Sequence, residues 1–90
     1  MTTTRARMIV RGRVQGVYFR AEVSARACSL GVAGWVRNVP DGTLEAIFEG
    51  EQERVESMVR WCEHGPAGAR VESVDVAWEP PTGDGGFEVR

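Results

Sequence analysis

The sequence predicts an α+β domain in which two helices cover one face of a four-stranded antiparallel sheet. Three observations predict it. Apolar residues recur with a period of two in some segments and of three to four in others. Glycine and proline divide those segments cleanly, and their order reads strand, helix, strand, strand, helix, strand.

The elements follow in order. Residues 5–12 alternate, with Ala6, Met8 and Val10 on one face and Arg7 and Arg11 on the other, the pattern of a half-buried strand. Phe19, Val23, Ala27 and Leu30 then recur at helical spacing up to Gly31, a natural left-handed cap. AGWVRNV and TLEAIFEG are two β-rich runs joined by PDG, with Leu44, Ala46 and Phe48 on one face, so they predict a hairpin. A second helix follows Gly50, with Glu51 and Glu53 in its first turn and Val55, Met58, Val59 and Cys62 as its apolar stripe, and ends at Gly65 and Pro66. VESVDVAWE sets Val74, Val76 and Trp78 on one face of a fourth strand, and GFEVR at residues 86–90 predicts a short edge strand. Two βαβ-like halves around a central hairpin form a ferredoxin-like split βαβ sandwich, βαββαβ, and that fold alone specifies no function.

At 90 residues the chain is expected to be one domain, residues 1–90, with room for one core and one site. The basic residues are eleven arginines and no lysine, against thirteen acids, for a formal net charge of -2. That balance argues against a general nucleic-acid or membrane-surface binder, which needs a basic excess. Arg5, Arg7, Arg11, Arg13 and Arg20 nevertheless make the first quarter basic, while most acids follow residue 40. MTTTRARMIV lacks the features of a signal peptide, and no run approaches a membrane span, so a cytoplasmic protein is expected. Cys28 and Cys62 have neither zinc nor disulfide-framework spacing and read as two buried small hydrophobes. His64 reads as a favourable residue at a helix end rather than a metal ligand or base. No cofactor or metal is expected, and the chain is expected to be a monomer.

The segment with chemical content is GRVQGVYFR at residues 12–20, between the first strand and the first helix. Gly12 and Gly16 tolerate positive φ and leave the backbone bare, so successive N–H groups can turn inward as an anion-binding nest. The helix beyond contributes N–H groups without intrahelical acceptors and the positive end of its dipole. Arg20 in the first turn can offer two parallel contacts to phosphate oxygens. The bland readings are a plain βα turn and a solvated arginine. The loop is neither a Walker sequence nor a dinucleotide fingerprint, so nucleotide binding is disfavoured.

GRVQGVYFR is similar, residue for residue, to the signature of the acylphosphatase family. GWVRN at residues 34–38 followed by DGTLE at 41–45 resembles the family's second block, and GPAGARVESVDV with GFEVR resembles its C-terminal third. The resemblance covers nearly the whole chain. It implies hydrolysis of carboxyl phosphates to carboxylate and inorganic phosphate without metal. On the same resemblance Arg20 holds the phosphoryl oxygens, Asn38 positions the attacking water, and the backbone N–H groups of Val14, Gln15, Gly16, Val17 and Tyr18 complete the cradle. In several members the C-terminal carboxylate lies near the catalytic arginine, a place that Arg90 would take here. Val39 stands where some members have a hydroxyl residue beside the asparagine.

That chemistry is consistent with the residues. The leaving group is a carboxylate whose conjugate acid has a pKa of roughly 4 to 5, so it departs without a general acid. Phosphoryl transfer is largely positioning and charge stabilisation. Asn38, a neutral amide, can orient water but cannot act as a strong base, and asparagine before PDG also suits a plain turn. The Gln15 amide reads as a brace of the loop, and Asp41 as turn chemistry rather than as half of a carboxylate pair with Glu45. Two further readings are a non-catalytic module binding phosphate or carbamoyl phosphate, and an RNA-binding split βαβ domain. The second lacks the aromatic pattern on its central strands.

Overall fold

The computed structural model describes residues 2–83 and 85–90. The elements run β1 (Thr3–Arg13), α1 (Phe19–Leu30), β2 (Ala33–Asn38), β3 (Leu44–Glu51), α2 (Gln52–Cys62), β4 (Arg70–Glu79) and β5 (Phe87–Val89). The sheet order is β4-β1-β3-β2-β5. Its first four strands pair antiparallel, as the sequence predicts, with β3 between β1 and β2. The fifth extends the prediction: β5 pairs parallel to β2, through Gly34↔Phe87, Trp35↔Glu88 and Val36↔Val89, so the sheet is mixed. The stacked rings of Phe87 and Phe48, with centroids 5.9 Å apart, anchor this short strand.

The alternation read in β1 holds. Ala6, Met8 and Val10 are fully buried beneath the helices together with Leu44, Ala46 and Phe48 of β3. Phe19, Val23 and Ala27 of α1, and Val55, Met58 and Cys62 of α2, close the same core. Burial pushes the Cys62 thiol up to about 12, which suits a core residue and not a nucleophile. Cys28 departs from expectation: it lies on the exposed side of α1, because only Phe19, Val23 and Ala27 of that helix turn fully inward. Trp78 shares a face with Ala6 in the register, yet it is 53% exposed because β4 is an edge strand. No helix among the described residues is long and apolar enough to cross a membrane.

The opposite sheet face carries ion pairs instead of helices. Arg7 bridges Glu45 at 2.7 Å and Glu79 at 3.1 Å, and Arg37 reaches Glu45 at 2.7 Å. Glu49 is nearly buried at the centre of this face. It accepts from Arg5 Nη1 at 3.0 Å, from Thr82 N at 2.9 Å and from Gly83 N at 2.7 Å. Burial by itself would raise its pKa, but the two main-chain N–H groups and the guanidinium outweigh that and hold it at about 2. Glu49 thereby pins the β4–β5 connection, which returns β5 to the edge where the candidate site lies.

Candidate functional site

The segment 14–18 leaves β1 and enters α1 as an irregular loop. Its side chains turn in different directions for identifiable reasons. Val14 is buried in the core, and Val17 packs against the same cluster. Gln15 Nε2 donates to the carbonyl of Val39 at 2.7 Å and to that of Thr43 at 2.9 Å, tying the loop to the β2–β3 hairpin. Gly16 has φ 73°, and a Cβ built there would meet nothing within 4 Å, so its backbone lies bare. Tyr18 caps α1 with φ 62° and ψ 19°, a left-handed conformation costing roughly 1–2 kcal/mol for a side-chain-bearing residue, and offers no side-chain cap.

Gly12 corrects the expectation. It does not belong to the cradle, since it lies within β1 at a register shift against β4. Its φ is 127°, and a Cβ there would collide with the carbonyl of Arg70. Close strand approach, not anion binding, requires this glycine.

Along Gln15–Ala21 no main-chain N–H has a hydrogen-bond partner among the described residues; the first main-chain bond of the turn is Glu22 N to Tyr18 O at 3.1 Å. The loop and the start of α1 contribute Val14, Gly16, Tyr18, Phe19, Arg20 and Ala21 to a cleft of about 500 Å³, joined by Asn38 from the end of β2 and Val89 from β5. Arg20 Nη1 donates to the terminal oxygen of Arg90 at 3.0 Å, and its other N–H groups have no partner among the described residues.

Asn38 is held through its main chain. Asn38 pairs with Leu44, Val39 N donates to Thr43 O at 2.9 Å, and Gly42 N donates to Val39 O at 3.0 Å. Asp41 Oδ1 closes the turn by accepting from Thr43 N at 3.0 Å and Thr43 Oγ1 at 2.7 Å. The Thr43 hydroxyl and N–H together lower the Asp41 carboxyl below its ordinary range. No hydroxyl at position 39 is needed to fix the backbone. The side-chain oxygen, Asn38 Oδ1, is buried and has no hydrogen-bond partner among the described residues. Such an atom costs about 1–3 kcal/mol, and its place in a cleft marks it as an acceptor awaiting a donor.

The structure therefore brings Val14, Gly16, Tyr18, Arg20 and Asn38 to one cleft. The side chains of Gln15 and Val17 turn away into hairpin and core. Phe19, Ala21 and Val89 were not among the site residues expected from sequence, whereas the terminal residue Arg90 does lie against Arg20, the place that the family resemblance implies for it. A second groove, of about 430 Å³, separates the helices beside Arg26, Met58 and Trp61, where Arg26 covers the Trp61 ring at 4.4 Å.

A split βαβ domain with unpartnered N–H groups, an arginine and an unpartnered amide oxygen in one cleft has the form of a phosphoryl-binding protein. The family model described as Acylphosphatase matches residues 6–89. An acylphosphatase of Rubrobacter xylanophilus is 58% identical over 89 residues, covering 98% of this chain and 81% of that protein. Another, of Pelotomaculum thermopropionicum, is 51% identical, covering 99% and 98%. The crystal structure of acylphosphatase from Bacillus subtilis superposes with a TM-score of 0.92 at 34% identity, covering 97% of this chain and 98% of that one. The chain belongs to the acylphosphatase family. It is a hydrolase acting on acid anhydrides, its substrate is a small acyl phosphate, and the reading as a non-catalytic phosphate-binding module is not favoured.

Proposed function

We propose that this chain hydrolyses acyl phosphates by in-line attack of a water held by Asn38 on a phosphoryl group held by Arg20 and the N–H groups of residues 14–18. The unpartnered Asn38 Oδ1 carries the proposal, because it is a buried acceptor in the cleft that also contains Arg20. A turn of the Asn38 amide brings that oxygen to the cleft, where it accepts one hydrogen of the water and directs a lone pair at phosphorus. The bond from phosphorus to the acyl oxygen breaks as the bond to water forms, and the carboxylate leaves with the electron pair. The proton of the attacking water passes to a phosphate oxygen, giving inorganic phosphate. Charge on the equatorial oxygens is met by Arg20 and by the N–H groups bared at Gly16.

No group in this scheme must donate a proton to the leaving carboxylate, and the guanidinium supplies the positive charge that metal ions supply in other phosphoryl-transfer sites. We accordingly infer a metal-independent enzyme and, from the chain's 90 residues and net charge of -2, further propose a one-domain monomer over residues 1–90 in the cytoplasm, without a nucleic-acid partner. Hydrolysis in ¹⁸O-water tests the bond cleaved. The label is expected in phosphate, and label in the carboxylate would mean attack at the acyl carbon and exclude the role given to Asn38.

A further inference from the structure

The main chain of Tyr18 belongs to the cradle, but its side chain is not accounted for by phosphoryl binding. It is 82% exposed and lines the same cleft as Asn38, whose side-chain oxygen is buried. Val89, 50% exposed, lines the same cleft. Tyr18 is also the non-glycine residue with positive φ among the described residues, so the cleft retains an aromatic residue where glycine would fit with less strain.

In-line displacement fixes where the acyl group must lie. Entering water and departing carboxylate stand on opposite sides of phosphorus. With the water beside Asn38, the acyl group points away from that residue, toward the exposed side of the cleft that Tyr18 and Val89 line. We propose that Tyr18, with Val89, forms an apolar contact for the acyl group and sets a preference for acyl phosphates with a flat or bulky apolar acyl part over acetyl phosphate. This inference rests on the hydrolytic reading above and adds a substrate class to it. An exposed ring loses little entropy on contact, having few rotatable bonds, and stacking adds to the area buried.

The test compares kcat/KM for benzoyl phosphate and acetyl phosphate in the wild type, Tyr18→Phe and Tyr18→Asn. Asparagine tolerates the left-handed conformation, so this variant keeps the turn while removing the ring. The ratio between substrates cancels any change in the cradle common to both. The ratio is expected to favour benzoyl phosphate in the wild type, to persist in Tyr18→Phe, and to fall about fivefold in Tyr18→Asn. An unchanged ratio in Tyr18→Asn would overturn the proposal while leaving the hydrolytic reading intact. Failure of the wild type to hydrolyse either substrate would instead overturn that reading, and this one with it.

Discussion

Gly12 and Gly16 show how one residue type serves two ends within five positions. At Gly12 a side chain would meet the Arg70 backbone at a φ of 127°, whereas at Gly16 it would meet open space at 73°. Gly12→Ala is expected to cost about 3 kcal/mol or more, through strain and displaced β1–β4 pairing. Gly16→Ala should cost only about 1 kcal/mol, the left-handed penalty alone, yet raise KM by setting a methyl on the bare backbone of the cradle. Denaturant titration beside steady-state kinetics separates the two; equal losses of stability would contradict the assignment. From the sequence both glycines read as bare backbone for an anion-binding nest, because both roles demand the same absent Cβ, and only the partner strand distinguishes them. Arg20 and Asn38 were legible through motifs. The buried state of Asn38 Oδ1 was not, since it depends on how the hairpin closes against the loop.

At the scale of elements, the cleft is assembled from a βα loop and a ββ hairpin that are distant in sequence. Gln15 joins them with two bonds to main-chain carbonyls. Each carbonyl also accepts a second main-chain donor, Gly42 N at Val39 O and Val39 N at Thr43 O, so loss of the amide leaves neither orphaned. Gln15→Ala is therefore expected to cost only about 1 kcal/mol of stability but to lower kcat about tenfold, by freeing Asn38 from the cradle. Unchanged kcat would make Gln15 a brace without catalytic consequence. A bracing amide was predictable from the residue; its acceptors were not, because backbone carbonyls carry no sequence signature. The four antiparallel strands and both helices were legible from hydrophobic period. The parallel pairing of β5 was not: three residues give too little pattern, and their position depends on the Phe87–Phe48 stack and on Arg90 N donating to Val36 O at 2.8 Å.

Across the whole molecule, Glu49 links the sheet centre to the segment that returns β5 beside Arg20. Its carboxyl is depressed from an ordinary 4.5 to about 2. A depressed carboxyl contributes stability that is present above the unfolded pKa and is lost as pH falls through the folded one. The contribution is on the order of 3 kcal/mol. It should be complete above about pH 5, decline between 4.5 and 2, and vanish below. Chemical denaturation of the wild type and Glu49→Gln across that range measures it. The two curves should converge toward pH 2, and a gap independent of pH would refute the linkage. Glu49 was hidden in the sequence because alternation places it on the uncovered face, and only the returning connection buries it.

The most direct test of the catalytic assignment is release of inorganic phosphate from a small acyl phosphate, with chelator present, by wild type, Arg20→Ala and Asn38→Ala. Wild-type turnover should be unaffected by chelator, and each variant should lose about 10²–10³-fold or more in kcat with an unchanged circular dichroism spectrum. Chelator-sensitive turnover, or a folded Asn38→Ala variant that retains wild-type kcat, would contradict the assignment.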